Sequence, residues 1–191
     1  MLAATGILVI FSSPVSSSPL EALTCSAALG QPEFLPQNTP PVPQTSQGLS
    51  APIRLLSWNI QKSQTSGWDA DLKKLGEDRD LLLIQEAAIQ AGISNILPQD
   101  LYQAFAAGYT TDSQVTGVAT LSSVAPMLEC NLTDWEPWLG TPKATNITAY
   151  PLADSPLRLL VINLHAVNFT VGLEDFAMQV EALTPLFTHH K

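Results

Sequence analysis

Between residues 53 and 164 the chain carries a series of apolar runs of strand length, and the most apolar of them end in polar side chains. Ile53–Ile60 (IRLLSWNI) and Asp80–Gln85 (DLLLIQ) are short, nearly uninterrupted apolar segments, the pattern of strands buried in a sheet core. Gly117–Ser122 (GVATLS), Ala144–Tyr150 (ATNITAY) and Leu157–Leu164 (LRLLVINL) are further strands of the same kind. Between the first two, Trp68, Leu72 and Leu75 fall at i, i+4 and i+7 after Ser66 and Gly67, with Lys73 and Lys74 on the opposite face. That spacing predicts a short amphipathic helix. Ala87–Leu97 is also predicted helical, stopping before Pro98. Leu173, Phe176, Val180, Leu183 and Phe187 step by three and four, one more helix face, which Pro185 kinks or ends. A strand–helix–strand opening followed by closely spaced strands specifies an α/β layered domain around a sheet core.

The folded part has a sharp upstream limit. Residues 1–53 contain no Lys or Arg and only Glu21 and Glu33 as acids, while every basic residue lies from Arg54 to Lys191. Residues 1–30 open on the apolar run Met1–Phe11 followed by serines, a signal-like leader without the positive start such leaders carry. The run is too short to span a membrane. Export or membrane association through this segment and a cytoplasmic location both remain open. Residues 31–52 are rich in Pro, Gln, Ser and Thr and read as an extended linker, leaving 53–191 as the folded domain. Cys25 and Cys130 are far apart and in no CxxC pattern, which excludes a zinc cluster or a disulfide framework and leaves at most one bridge in an exported chain.

The net charge of −9 works against a basic nucleic-acid surface, because such binding is driven by Lys and Arg displacing phosphate counterions. It leaves metal-assisted phosphate chemistry open, since a bound divalent cation supplies its own local charge. The chemistry-bearing side chains are few. Asn59 and Glu86 terminate the two most apolar strands, where open sheets expose functional groups. One carboxylate and one amide oxygen, completed by waters, suit magnesium. Asn59 equally reads as a strand-end turn residue, and Glu86 as a first-turn helix residue favoured by the dipole. His165 ends LRLLVINL, on the same strand face as Asn163 by alternation, with Asn168 close behind. A histidine there serves as donor to a phosphate oxygen, as a general acid, or simply as a satisfied strand-end residue. His189 and His190 receive no role.

The ordered set SWN (Ser57–Asn59), IQE (Ile84–Glu86), GVATLS (Gly117–Ser122) and NLH (Asn163–His165) resembles the first four motifs of the endonuclease/exonuclease/phosphatase superfamily. LLSWNIQK, TPKA–TAYPL and LLVINLHAVNF are similar to its bacterial members. The resemblance implies a four-layered sandwich of two packed β-sheets flanked by helices, of α/β (α+β) class. It implies a metal-dependent phosphoesterase that hydrolyses phosphodiester or phosphomonoester bonds with metal-activated water. Glu86 and Asn59 would hold Mg2+ or Mn2+, His165 would contact the scissile phosphate, and Asn163 and Lys62 would line the substrate pocket. Gly117 would let the backbone turn close to the site. The implied partner is a phosphoester, whether nucleic acid, sugar phosphate or lipid phosphodiester, bound by a monomer.

Two motifs of that superfamily do not occur in the sequence: a GDFN-type strand end and a Ser-Asp-His-type motif, which supply the groups that activate the water. The domain is therefore expected to be incomplete at its C-terminus, with an uncovered helix face at Leu173–Phe187 and an uncovered sheet edge. Such a chain is expected to be marginally folded and catalytically inactive, a remnant acting only as a binding protein being the alternative function. Asn131, Asn146 and Asn168 each begin a glycosylation sequon, which carries weight only on a eukaryotic secretory route.

Overall fold

A computed structural model describes residues 7–8, 48–136, 140–167 and 173–184. The architecture is α+β, with two four-stranded sheets and few helices. The strands are β1 (Ile7–Leu8), β2 (Leu55–Asn59), β3 (Leu81–Ala88), β4 (Tyr102–Thr110), β5 (Val115–Ser122), β6 (Leu128–Trp135), β7 (Pro142–Pro151) and β8 (Arg158–Leu164). The helices are α1 (Trp68–Gly76) and α2 (Glu174–Glu181). One sheet runs β2-β3-β5-β4 and the other β1-β8-β7-β6. Among the described residues no helix is long and apolar enough to cross a membrane.

The β2–α1–β3 unit explains where the first polar strand ends go. β2 and β3 are parallel neighbours, Leu55 opposite Leu81 and Asn59 opposite Gln85. Parallel strands need a crossover, which α1 provides. Asp69 and Asp71 in its first turn and Lys73 and Lys74 in its last match the helix dipole. Leu72 is fully buried and packs with Trp68 against Leu82, Ile84, Ala119 and Leu121 of the sheet. Leu75, predicted on the same face, is largely exposed. The remaining strands of this sheet pair antiparallel, β3 with β5 and β5 with β4.

The two sheets face each other and are tied by side-chain hydrogen bonds as well as by apolar packing. Leu81 and Leu83 of one sheet pack with Tyr150, Leu159 and Val161 of the other. Deeper along the interface the contacts turn polar. Gln85 Nε2 donates to Asn163 Oδ1 at 2.7 Å, Asn163 Nδ2 donates to the Ala119 carbonyl at 2.9 Å, and the Thr120 hydroxyl donates to Asn146 Oδ1 at 2.6 Å. Buried polar groups that satisfy one another fix a single alignment of the two sheets, because any slip leaves them unpaired at a cost of about 1–3 kcal/mol each.

Several expectations are corrected. The ordered domain starts upstream of Ile53. Leu49 is buried, donates its N–H to the Pro151 carbonyl and bridges Leu152, so residues 48–52 belong to the domain rather than to the linker. The leader contributes β1, which pairs antiparallel with β8, Ile7 opposite Ile162. Ala87–Leu97 is not an α-helix. β3 continues to Ala88 because Ala87 and Ala88 pair with Gly117 and Thr116. Two 3-10 turns then follow around Gly92, whose left-handed backbone (φ 60°) separates them. Strands β4 and β6 lie in stretches to which sequence patterning assigned nothing. The helix face expected to be bare is covered in part: Phe176 and Leu183 pack on Cys130, Ile147, Leu160, Ile162 and Leu164. Leu173, expected on that face, is 76% exposed, while Gln179 is buried with its amide on the Val167 N–H and the His165 carbonyl. Phe187, Pro185, Asn168, His189 and His190 lie outside the described residues, as do Cys25 and most of the leader. Cys130 is buried and disulfide-bonded. Asn146 is fully buried, so that sequon does not present its asparagine to solvent, whereas Asn131 is half-buried and accepts a hydrogen bond from the Asn146 amide.

Candidate active site

The end of β2, a bulge inside β3 and the end of β8 meet at one place, so Glu86, expected to close its strand, lies within β3. Parallel pairing sets Asn59 beside Gln85, and therefore next to Glu86. The Gln85–Asn163 hydrogen bond between the sheets sets the end of β8 against the same point, and His165 follows two residues later. The outcome is a contact set drawn from residues far apart in sequence. Asn59 Nδ2 donates to Glu86 Oε1 at 3.0 Å, and His165 Nε2 lies 3.6 Å from that same oxygen. The structure thus brings together Asn59, Glu86 and His165.

Backbone irregularity concentrates here. Glu86 sits at a bulge in β3, where the register shifts between Gln85 and Ala87, and it has φ of 50°. Positive φ is uncommon for a residue with a Cβ, and such outliers gather at functional sites. The bulge turns the carboxylate out of the sheet alternation and leaves it partly exposed. Gln61, Lys62 and Ser63, immediately after β2, also have positive φ. That tight loop returns the Gln61 N–H to Asn59 Oδ1 at 2.9 Å. The amide of Asn59 is consequently used at both ends, its oxygen by a backbone donor and its NH2 by Glu86. Asn59 is thereby fitted to orient the carboxylate, while its oxygen keeps a second lone pair beyond the Gln61 N–H.

Gly117 serves packing. A methyl at this position would drive into the Ala106 carbonyl of β4, so its lack of a side chain lets β4 and β5 lie close beside the Glu86 bulge. Asn163 is corrected from a pocket residue to a buried tie between the sheets, fully enclosed by Gln85, Ala119 and Thr120. Lys62 stays near the site: it lies 6.0 Å from the Tyr109 ring centroid and its charge reaches His165.

Sequence reasoning missed Lys143 and Glu136. Lys143 Nζ is 3.3 Å from His165 Nε2 and 3.4 Å from Glu136 Oε1, and both residues are buried. The Thr141 hydroxyl donates to Glu136 Oε2. The available signal was the scarcity of basic residues: Lys143, in TPKA, is the one charged residue of β7. Burial pushes the His165 pKa down to about 4, assisted by Lys143 and opposed by Glu86 and Glu136. The imidazole is therefore neutral at pH 7, and its approach to Glu86 is not an ion pair.

Among the described residues no group of three or more His, Cys, Asp or Glu forms a ready metal cage. The donor set that does exist is one outward-turned carboxylate held by a neutral amide. This fits magnesium, a hard cation that keeps several waters and is often held by one or two carboxylates plus substrate phosphate.

No protein-family profile and no solved structure matches the chain. Curated proteins do match it. The chain is similar to a UPF0294 protein of Klebsiella pneumoniae (strain 342). The two are 38% identical over 143 residues, which cover 72% of this chain and 52% of that protein. The chain thus spans about half the length of this relative. The relative's name states no activity.

Proposed function

We propose that this chain is part of a metal-dependent phosphoesterase of the endonuclease/exonuclease/phosphatase type. In this reading the fold is the four-layered sandwich of that superfamily. The packing of α1 on one sheet and α2 on the other, outside the sheet–sheet interface, supports this. The observation that carries the functional reading is the meeting of Asn59, Glu86 and His165 around one carboxylate oxygen, at positions that motif order alone had singled out.

In the proposed reaction water attacks phosphorus in line with the leaving oxygen. Magnesium or manganese, when bound, supplies positive charge to the phosphoryl oxygens and lowers the pKa of a bound water. Glu86 would hold that cation, with Asn59 fixing the carboxylate rotamer through its hydrogen bond to Oε1. Neutral His165 stands next to the carboxylate, and the charge of Lys62 reaches His165. Donors aimed at developing negative charge are each worth roughly 10²–10³ in rate in such sites. The acidic balance of the chain favours a small or locally bound phosphoester over a long nucleic-acid track.

Purified chain assayed with Mg2+ or Mn2+ against bis(p-nitrophenyl) phosphate and p-nitrophenyl phosphate tests this. Turnover that needs the metal and disappears in Glu86→Gln upholds the proposal. Mn2+ binding that depends on Glu86 without any turnover assigns the chain to a binding role only. Neither binding nor turnover refutes both.

A further inference from the structure

Lys143 is buried to a degree that lysine reaches only when its charge is paired. The pairing is with Glu136, itself 1% exposed, which the Thr141 hydroxyl holds from its other oxygen. The loop backbone fixes Glu136 further: its N–H donates to the Thr141 carbonyl at 3.0 Å, and its carbonyl accepts from Gly140 N–H at 2.8 Å. The ammonium is therefore anchored from behind, and its front faces His165 Nε2 at 3.3 Å.

The chemistry of the two groups decides the proton. A lysine ammonium has three donors and no acceptor, whereas a neutral imidazole has one nitrogen of each kind. The nitrogen that faces Lys143 must then be the one that accepts. The competing arrangement, Nε2–H donating to Glu86, would have to span 3.6 Å, beyond hydrogen-bond range, and would turn an N–H toward an ammonium. The His165 backbone is independently held, its N–H on the Ala144 carbonyl and its own carbonyl on Gln179 Nε2.

We propose that Lys143, anchored by Glu136, is a positioning residue that holds His165 as its Nδ1–H tautomer and offers its remaining N–H to an oxyanion beside Glu86. The purpose of this arrangement rests on the phosphoester reading, while its geometry does not. In that reaction Nε2 has no proton to give, so the hydrogen bond reaching a phosphate oxygen comes from the Lys143 ammonium. His165 acts by fixing where that ammonium points.

Two-bond proton–nitrogen correlation spectra of the nitrogen-15-labelled full chain at neutral pH read the tautomer directly, with His165 assigned by loss of its signals in His165→Gln. The expected wild-type pattern is Nδ1–H, retained in Lys143→Arg and converted to Nε2–H or to a mixture in Lys143→Met. Inorganic phosphate added as probe should shift the His165 signals in wild type and bind roughly tenfold or more weaker in Lys143→Met, the worth of one charge-assisted hydrogen bond. A wild-type Nε2–H pattern, or a pure Nδ1–H pattern in Lys143→Met, overturns the positioning role. The absence of any phosphate shift overturns the oxyanion role. Should Lys143→Met not fold, the wild-type tautomer decides alone. Neither metal nor turnover enters the tautomer measurement, so a failed phosphodiester assay with the Nδ1–H pattern intact removes the reaction and leaves the Lys143 assignment standing.

Discussion

Acidification should destabilise this domain through His165 as pH falls from about 6.5 toward about 4. The folded imidazole takes up its proton only near pH 4, against an ordinary value of 6.5, because it is buried and beside Lys143. Between those values the unfolded chain binds a proton that the folded chain does not, so falling pH favours unfolding. Stability from this source is fully present above pH 6.5 and is lost as pH falls through the window down to about 4. The difference in proton binding amounts to about 0.2 kcal/mol at pH 7, about 2 kcal/mol at pH 5 and about 3 kcal/mol below both values. Half-buried Glu129 and Asp134 act in the opposite direction, since their partial burial raises their carboxyl pKa values and the folded state holds those protons more tightly. Comparing wild type with His165→Gln cancels that contribution. Urea unfolding of both proteins at several pH values from 8 to 5 gives the difference curve. With m of about 1–3 kcal/mol/M, the wild-type midpoint should fall by roughly 1 M more than that of the variant. Parallel curves for the two proteins, or a wild type that gains stability toward pH 5, would refute the burial argument.

Other perturbations separate the site from its scaffold. Asn59→Ala removes the hydrogen bonds to Glu86 and to the Gln61 N–H. It should cost about 1–2 kcal/mol in urea unfolding and lower Mn2+ affinity at Glu86, measured by titration calorimetry. Asn163→Ala leaves Gln85 Nε2 without its inter-sheet acceptor and opens a void in a fully buried position. A loss of about 2–4 kcal/mol is expected by the same unfolding measurement, with metal affinity of the folded fraction unchanged. Gly117→Ala pushes a methyl into the Ala106 carbonyl, where backbone rather than a flexible side chain must yield. It should destabilise by more than about 3 kcal/mol and expose the β4–β5 amides to hydrogen exchange.

The strands that carry the site were legible because their apolar runs are short and nearly unbroken, so β2, β3, β5, β7 and β8 could each be placed within a few residues. β4 and β6 were not legible. YQAFAAGYT and LECNLTDW mix polar and small residues, and they are strands because β5 and β7 offer them unpaired edges. Ala87–Leu97 misled for the opposite reason: its alanines favour a helix locally, but Ala87 and Ala88 pair with β5 and the left-handed Gly92 breaks the remainder into two 3-10 turns.

The sequence by itself determined which polar side chains follow the apolar runs, since a polar residue after such a run is a property of local order, although β3 goes on past Glu86 to Ala88. Asn59, Glu86 and His165 were visible in that way. Only the tertiary structure decided what each does there. The β3 bulge turns Glu86 outward, the loop after β2 donates to the Asn59 oxygen, and sheet-to-sheet packing encloses Asn163. Lys143 became part of the site for the same reason. A lysine's role depends on which groups lie within reach of its ammonium, and Glu136 and His165 reach it only once β7 and β8 pair and the loop after β6 folds back.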